Sequence, residues 1–476
     1  MSKNPTKKQG PNIIEAAFCK ISKDGVPYDI IPGRLAKYFI TEYYYGKIRV
    51  IDNQVFLYSD GVFRLDEDCK RLKTDIMHLI PEDLLEASRI RRVLDLILMN
   101  KAITCTMDEM NQYDVEIINF KNGMLDTRSM KLMPHSEQYL STNQIPYNYD
   151  DTLNYERTTA DRFFRSLIPD DLDREMLYRY VGLCFGHDAK TQKFMIIVGL
   201  PGTGKSVALN FISNIVGKEN ISGISLQDLN GRFYPTVLFG KLLNVCADLP
   251  KTALTAVDEI KKITGEDQIM GEYKGGKIFF FRSYAKLLFS TNELPPMLDE
   301  KSEGFFRRML CISVTKKGEY IPDLDKGLES SKEAFIARCI SSLHEYYIQG
   351  RPQLDSPNSL NVVAQYYQEC DSVRAFISST DLFDLTGECK GSLLYDDYRS
   401  FCINDEMQPL TRKSFFRNLR GKGFTETMKK GYTYFSKPVG SSSLKISSLS
   451  STQSSTQVDE NGFLKLSDDM ENPFPA

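Results

Sequence analysis

The sequence contains no tryptophan and only four histidines, and its ten cysteines form no Cys-x-x-Cys pair. This spacing indicates neither a disulfide framework nor a zinc site. Several cysteines, such as Cys184, Cys246 and Cys311, lie inside apolar runs, where thiols are typical of small core residues in a reducing compartment. We therefore expect a fold that depends on its apolar core and not on cross-links.

Long apolar runs are also missing. No run approaches the roughly 20 residues that a membrane-spanning helix needs, and the basic start MSKNPTKKQG has no apolar segment behind it. The 60 Lys and Arg nearly balance the 63 Asp and Glu, which leaves a net charge of -3. Any contact with nucleic acid must therefore come from local patches. We expect a cytoplasmic protein with no membrane partner.

With 476 residues, the chain is too long for a single hydrophobic core, so several domains are expected. Changes in composition and periodicity mark their boundaries. They predict a flexible N-terminal arm over 1–34, an α+β domain over 35–150, a helical connector over 151–192, an α/β core over 193–355, a winged-helix-like domain over 356–438, and a disordered, Ser-rich and acidic tail over 439–476.

The α/β core is predicted from the short apolar runs FMIIVG, KLLNVCAD, AKLLFSTN and RMLCISV. Strands of a parallel sheet are covered on both faces, so they appear as continuous apolar runs. Further along, three short helical patterns precede a hairpin pattern around Lys-Lys-Gly, which is the element order of a winged helix. The predicted fold class is therefore α/β, with smaller flanking domains.

A phosphate-binding loop follows the first apolar run. Residues 199–206, GLPGTGKS, match G-x-x-x-x-G-K-S between a predicted strand and a predicted helix. In such a loop the backbone amides surround the phosphates, the lysine reaches the β and γ oxygens, and the serine hydroxyl binds Mg²⁺. We expect ATP and Mg²⁺ here, and the predicted contacts are Gly199, Pro201, Gly202, Thr203, Gly204, Lys205 and Ser206.

Polar residues lie at the ends of the later runs. Asp248 ends KLLNVCAD, where an acid can hold Mg²⁺ and orient water, and Asn292 ends AKLLFSTN, where an amide can position that water. Arg307 and Arg308 lie at the start of the last run and offer positive charge to the γ-phosphate. Singly, each has an ordinary alternative, a solvated acid or a turn. Their order after the loop favours catalytic roles.

Two basic segments are candidates for DNA binding. Lys274 and Lys277 lie in a Lys-Gly-Gly-Lys pattern that predicts a hairpin tip, although an exposed basic turn can serve solubility alone. The second segment lies in the predicted winged helix, where Phe415, Phe416 and Leu419 form the core face of a helix. Its cations suit duplex DNA, the alternative being a packing module with a basic surface; they are Arg412, Lys413, Arg417, Arg420, Lys429 and Lys430.

The segments GLPGTGKS, KLLNVCADLP, TGEDQIMGEYKGGK followed by FRSYAKLLFSTNELP, and GFFRRM together resemble those of the superfamily 3 helicases. The resemblance is to the phage and plasmid type of primase-associated helicase and to replication initiators of phage-inducible chromosomal islands. It covers roughly residues 35–438. It implies an AAA+-like ATPase that forms a homo-oligomeric ring, usually a hexamer, with ATP between subunits in a bacterial host cytoplasm.

The resemblance also implies roles for individual residues. Lys205 and Ser206 would be the phosphate-loop pair, Asp248 the Walker B acid and Asn292 the sensor. Arg308 would be the finger that reaches the ATP of the neighbouring subunit, and Arg307 is the alternative. The hairpin with Lys274 and Lys277 would track single-stranded DNA in the channel.

The chain departs from the family pattern at one position, because Ala247 stands where a second Walker B acid is usual. Either Asp248 acts alone or another acid, such as Glu266 or Asp267, contributes. The region before the loop also lacks the acid and Cys or His cluster of a primase. The tail VDENGFLKLSDDMENPFPA is expected to serve solubility, the alternative being that it docks on a host replication protein.

The sequence therefore predicts an ATP-dependent DNA helicase and replication initiator of a phage, plasmid or genomic island. Its partners would be single- and double-stranded DNA at a replication origin. The alternative is an ATP-switched origin-binding protein without processive unwinding. A small-molecule P-loop kinase would share the loop but would have no use for the basic C-terminal domain.

Overall fold

The computed structural model describes residues 17–250, 254, 258–272, 278–295, 297, 303–380, 387–404 and 409–437. Within these ranges the chain divides into two compact units. The described residues of the first unit lie within 17–250, 258–293 and 310–359. Those of the second are 254 and residues within 294–309 and 360–437.

The described part of the first unit begins with three small antiparallel sheets and three α-helices. Strands β3, β4 and β5 form the successive hairpins predicted from IRVIDNQVFLYSDGVFRL, with positive φ at Asp52, Asn53 and Asp60 in the turns. The elements are β1 (Cys19–Ile21), β2 (Pro27–Ile30), α1 (Pro32–Tyr38), β3 (Ile48–Ile51), β4 (Gln54–Ser59), β5 (Val62–Leu65), α2 (Lys70–Leu79), α3 (Ala87–Leu98), β6 (Ile117–Phe120), β7 (Gly123–Asp126) and β8 (Lys131–Met133).

The predicted flexible arm over 1–34 is wrong for its described part. Residues 17–34 contain the β1–β2 hairpin and the start of α1. The side chain of Phe18 is fully buried, and the Ile31 amide donates a hydrogen bond of 2.7 Å to the Phe18 carbonyl. Cys19 and Ile30 are buried in the same cluster as Phe18, but these few residues, spread over a short hairpin, are too few to produce a periodic sequence pattern.

The sheet that carries the predicted phosphate loop follows. Its five parallel strands have the order β10-β11-β14-β9-β15, and the four predicted runs supply β9, β11, β14 and β15. The elements are α4 (Thr159–Leu167), α5 (Asp171–Leu183), β9 (Phe194–Gly199), α6 (Lys205–Val216), β10 (Ile221–Ser222), β11 (Leu243–Cys246), α7 (Asp258–Thr264), β12 (Gln268–Glu272), β13 (Ile278–Arg282) and β14 (Lys286–Thr291), then α8 (Glu303–Phe306), which belongs to the second unit, β15 (Met309–Val314), α9 (Leu324–Ser330) and α10 (Lys332–Ile348).

One apolar core joins regions that the sequence predicts as separate domains. Ile118 and Leu125 of the β6–β7 hairpin belong to the same buried cluster as Phe164 of α4 and Leu288 of β14. The predicted boundaries near 151 and 193 therefore lie inside the first unit. Local composition changes there because the secondary structure changes, while the packing continues across both boundaries.

The second unit has a core of its own, formed by helices around a three-stranded antiparallel sheet of order β16-β18-β17. Phe415 and Leu419 are fully buried, as predicted for the core face of their helix. The remaining elements are α11 (Pro357–Cys370), whose first residues belong to the first unit, α12 (Ser372–Ser379), β16 (Glu388–Lys390), α13 (Gly391–Asn404), α14 (Arg412–Gly421), β17 (Thr425–Lys429) and β18 (Tyr432–Ser436).

Among the described residues, no helix combines the length and the apolar character needed to cross a membrane. Three predictions lie on other residues: the tip with Lys274 and Lys277, the tail from residue 439, and the first 16 residues of the arm.

Candidate nucleotide and DNA site

The phosphate-loop sequence forms the connection between β9 and α6. β9 ends at Gly199, and α6 begins at Lys205. Gly202 and Gly204 have φ values of 73° and 102°, in the region where a side chain would be strained. The glycines therefore allow the turn that brings the free amides at the start of α6 around one point, an arrangement that favours an anion.

Gly199 allows a close approach of two strands. A Cβ atom at this position would overlap the carbonyl oxygen of Val314, the last residue of β15. Since β15 is the neighbour of β9 in the sheet, any larger residue would push the edge strand away. The first glycine of the motif thus maintains strand packing at the base of the loop.

Lys205 is the buried cation of the loop, with 4% of the residue exposed. Its Nζ donates hydrogen bonds to the carbonyl oxygens of Gly199 and Leu200, at 2.6 and 2.9 Å, and to Oδ1 of Asn292, at 3.1 Å. Burial lowers the pKa of Lys205, and the negative charge of Asp248 opposes that shift. The amine thus donates to three neutral oxygens, two from the loop backbone and one from the Asn292 side chain.

A cavity of about 460 Å³ opens beside the loop. The residues from Pro201 to Val207 form one side, and Asp248 and Asn292 complete the lining. β11, β14 and β9 are adjacent parallel strands, so the residues that follow their carboxyl ends meet at one edge of the sheet. The structure thus brings the predicted loop, acid and amide together.

Asp248 follows β11 in a left-handed backbone conformation, with φ of 58°. The next amide, of Leu249, donates a hydrogen bond of 3.0 Å to the carbonyl of Ser290 in β14. This conformation, uncommon for a residue other than glycine, places the acid at the cavity. Among the lining residues that the structure describes, Asp248 is the one carboxylate. Glu266, a proposed second acid, lines a different cavity.

Two segments outside the GLPGTGKS motif support the phosphate loop. The motif's own sequence does not predict these contacts. An ideal Cβ at Gly204 would lie 3.4 Å from the ring of Phe163, so α4 packs behind the loop. Ser166 Oγ accepts a hydrogen bond of 2.6 Å from the Glu319 amide, which fixes the segment after β15 to α4. The exposed Lys316 and Lys317 lie in that segment, and the sequence reasoning did not single them out.

Arg307 and Arg308 belong to the second unit and differ in exposure. Arg308 is 9% exposed, and its Nη1 donates a hydrogen bond of 2.8 Å to the carbonyl of Gly304. Arg307 is exposed, and its amide donates to the carbonyl of Glu303. The predicted finger, Arg308, is therefore the more enclosed of the two guanidinium groups.

Half of the six predicted DNA-binding cations of the second unit contact their own domain. Arg420 forms an ion pair of 2.5 Å with Glu426, and Lys429 one of 2.6 Å with Glu388. The Arg412 guanidinium lies 5.2 Å from the ring centroid of Phe416. These contacts reduce the charge that is available to an external phosphate.

Lys413, Arg417 and Lys430 are exposed. Lys413 and Arg417 are four residues apart on α14, so their side chains lie on the same face of the helix. Lys430 lies in the turn between β17 and β18, with φ of 48°. Of the predicted set, these three cations are best placed to reach a partner.

Two family models match the chain. Residues 36–170 match a family described as D5 N terminal like. Residues 197–308 match a family of unknown function, DUF5906. The second match includes the phosphate loop, Asp248 and Asn292, and it ends at Arg308.

Among curated proteins, the chain is similar to the DNA primase-polymerase of Nitratiruptor phage NrS-1, with 22% identity over 149 residues. That stretch is 30% of this chain and 21% of the relative, so the chain matches about a fifth of the relative's length.

Two solved structures have a similar fold. Both are A form apo structures of the NrS-1 C-terminal region, and each has a TM-score of 0.51 and 12% identity to this chain. They cover 86% and 85% of this chain and 99% of their own chains. The chain is thus similar to the D5 N terminal like family over residues 36–170, to a phage DNA primase-polymerase over 149 residues, and in fold to the NrS-1 C-terminal region.

Proposed function

We propose that this protein is an ATP-dependent DNA helicase and replication initiator of a phage, plasmid or genomic island. The observation that carries the proposal is the meeting of Lys205, Asp248 and Asn292 at one cavity beside the phosphate loop. A cation, an acid and an amide at the carboxyl edge of a parallel sheet are the groups that triphosphate hydrolysis requires.

The residues of the loop fit a nucleotide triphosphate. The backbone N–H groups of residues 202–206 would surround the phosphates, and phosphate oxygens would replace the carbonyl oxygens of Gly199 and Leu200 as acceptors for Lys205. Ser206 and Asp248 would hold Mg²⁺, which would neutralise phosphate charge. Asn292 would orient the attacking water, and its present contact with Lys205 supports a position beside the γ-phosphate.

The hydrolysis site requires a positive charge from outside the cavity, because Lys205 is the one cation among its described lining residues. We propose that a neighbouring subunit of a ring supplies Arg308 or Arg307. The resemblance to superfamily 3 helicases favours a hexamer. A ring also accounts for DNA binding by a chain of net charge -3, since a few cations repeated around a channel make a strongly positive surface.

A winged-helix role for the second unit would bring the ring to duplex DNA. Support comes from helices α12, α13 and α14 with the β17–β18 hairpin, and from Lys413 and Arg417 on the exposed face of α14. The similarity to a phage DNA primase-polymerase favours a partner in DNA replication.

One specific observation favours a second candidate, an ATP-switched origin-binding protein that does not unwind DNA processively. Asp248 is the one described acid at the cavity, and Ala247 stands where a second acid would assist hydrolysis. Slow hydrolysis would suit a switch better than a motor.

Strand displacement distinguishes the two candidates. Purified protein is mixed with a forked DNA, ATP and Mg²⁺, beside the Lys205→Ala variant and a Lys218→Ala control, which removes an exposed lysine beyond α6. The helicase proposal requires displacement by the wild type and the control and none by Lys205→Ala. ATP hydrolysis without displacement by the wild type would establish the switch instead.

A further inference from the structure

The cavity beside the phosphate loop offers groups for phosphate and metal but no aromatic wall. Its described lining consists of the residues from Pro201 to Val207 with Asp248 and Asn292, and none of these is aromatic. Loop amides, a lysine, a hydroxyl, a carboxylate and an amide suit a triphosphate with Mg²⁺. A flat organic ring is usually held by apolar and aromatic side chains. The base of a bound nucleoside triphosphate would therefore lie outside this lining.

The order of the strands determines on which side of the loop a base would lie. Asp248 and Asn292 follow β11 and β14, which lie on one side of β9. β15 lies on the other side of β9, and its last residue, Val314, is next to Gly199. A triphosphate whose γ-phosphate is directed toward Asp248 and Asn292 thus extends its α-phosphate and its nucleoside toward β15.

The chain that follows β15 passes beside the loop at this point, and we call residues 315–320 the crossing segment. An ideal Cβ at Gly318 would lie 3.8 Å from the carbonyl oxygen of Thr203 in the loop. The same Cβ would lie 3.3 Å from Ser166 Oγ, the acceptor of the hydrogen bond described above. Ile321, directly after the segment, is buried in the core of the first unit. The crossing segment is therefore held against the loop.

The crossing segment presents one aromatic ring and two cations to the solvent. Tyr320 is 89% exposed, the highest value among the large apolar and aromatic residues that the structure describes. Lys316 and Lys317 are exposed, and neither forms an ion pair within the described ranges. Glu319 is the one carboxylate of the segment. A single exposed ring is common on protein surfaces, but a ring and two cations beside a phosphate loop suit a nucleotide.

We propose that the crossing segment holds the nucleoside end of the triphosphate that the phosphate loop binds. The proposal rests on the nucleotide role proposed above and adds the place where the base is held. Tyr320 stacks on the base, and Lys316 and Lys317 supply positive charge to the α- and β-phosphates. These groups come from the same chain as the loop. Since an aromatic ring stacks on every base, Tyr320 contributes affinity for a nucleobase without selecting one.

A ligand with a base and a ligand without one test the role of Tyr320. The full-length protein is titrated calorimetrically, with Mg²⁺ present, with a non-hydrolysable ATP analogue and with inorganic tripolyphosphate. Tyr320→Ala should weaken binding of the ATP analogue about tenfold, a typical effect of one stack between a base and an aromatic ring. It should leave binding of tripolyphosphate unchanged, because that ligand has no base. Tyr320→Phe keeps a ring and should bind both ligands as the wild type does.

The lysines should give a different pattern. The double variant Lys316→Ala/Lys317→Ala should weaken both ligands by a similar factor, about fivefold, because both ligands carry phosphates. Tyr45→Ala is the matched control for Tyr320→Ala, since it removes a tyrosine that is 72% exposed elsewhere in the first unit. It should bind both ligands as the wild type does.

The outcomes separate this proposal from the proposed function, because neither ligand has to be hydrolysed. If the wild type and Tyr320→Ala bind the ATP analogue equally, and both bind tripolyphosphate, the assignment of the base is wrong and the phosphate loop keeps its role. If folded Tyr320→Ala loses both ligands, Tyr320 supports the loop and does not hold the base, which also overturns the proposal. If the wild type binds neither ligand, the nucleotide role of the loop fails and this proposal fails with it.

Discussion

Lys205 donates a hydrogen bond of 3.1 Å from its ammonium group to the side-chain oxygen of Asn292, which lies 87 residues away in the sequence. The contact joins the first residue of α6 to the residue after β14. It ties a group that would bind the γ-phosphate to a group that would position water, so a bound nucleotide would change the contacts of both side chains together.

Substitution of either residue should lower the rate of ATP hydrolysis. Lys205→Ala should lower the kcat of ATP hydrolysis by about 100-fold or more, since it removes a preorganised donor from the transition state. Asn292→Ala should lower kcat with little change in KM, because the amide positions water and does not hold the nucleotide. Steady-state ATPase assays measure both, and a raised KM with unchanged kcat for Asn292→Ala would contradict its role.

Mixing experiments test the supply of an arginine by a neighbouring subunit. Lys205→Ala and Arg308→Ala should each be inactive, and a mixture should recover part of the ATPase activity, because some interfaces then combine an intact loop with an intact arginine. The exposed Arg307 serves as the parallel case, with Arg307→Ala in place of Arg308→Ala. Absence of recovery with both arginine variants would contradict the shared site.

Gly199→Ala should destabilise the first unit. The new Cβ would overlap the Val314 carbonyl oxygen, and we expect a loss of about 1–3 kcal/mol, typical of overpacking. Gly33→Ala is the matched control, because nothing lies within 4 Å of an ideal Cβ there. Thermal denaturation should show a lower Tm for the first variant and an equal or higher Tm for the second. Equal Tm values would mean that β9 and β15 do not constrain this position.

The buried His187 should make stability sensitive to acid. Its pKa is lowered from 6.5 to about 3 in the folded protein, chiefly by burial, so the unfolded chain binds more protons between these values. The free energy of unfolding therefore falls as pH decreases through this window, by at most about 1.4 kcal/mol per pH unit from this group. Chemical denaturation at pH 7 and pH 5 should show a smaller decrease for His187→Phe than for the wild type. Equal decreases would contradict a buried neutral imidazole.

Ion pairing within the second unit should determine how much each of its cations contributes to duplex DNA binding. The double variant Lys413→Ala/Arg417→Ala should weaken duplex binding and reduce the slope of log K against log salt by about 2, since each lost phosphate contact removes about 0.9. Arg420→Ala/Lys429→Ala removes equal charge from residues already paired with Glu426 and Glu388, and its slope should change less. The reverse ranking would show that duplex DNA replaces these internal pairs.

Much of the fold could be predicted because its signals are local. The runs FMIIVG and AKLLFSTN became β9 and β14 with little change in their bounds. The glycines of residues 199–206 predicted a turn between strand and helix. The hairpins β3–β5 follow from the turn residues between alternating strands. In each case a few neighbouring residues determine the backbone.

Less of the candidate site could be predicted. The positions of Asp248 and Asn292 at the ends of predicted strands suggested that both lie near the phosphate loop. The strand order of the sheet places both beside Lys205. Glu266 and Asp248 both looked suitable as catalytic acids, but only the fold separates them into two cavities. The ion pairs that occupy Arg420 and Lys429 depend on which strands meet, and no local pattern encodes that.

The sequence by itself determined the chemistry that is available: a flexible glycine loop with one lysine, polar groups at strand ends and two basic segments. Only the tertiary structure decided which of these groups share a site, which cations remain exposed, and that the His187 ring packs against the rings of Tyr113 and Tyr284. The physical reason is that backbone conformation depends on neighbours along the chain, whereas burial, pairing and protonation depend on neighbours in space.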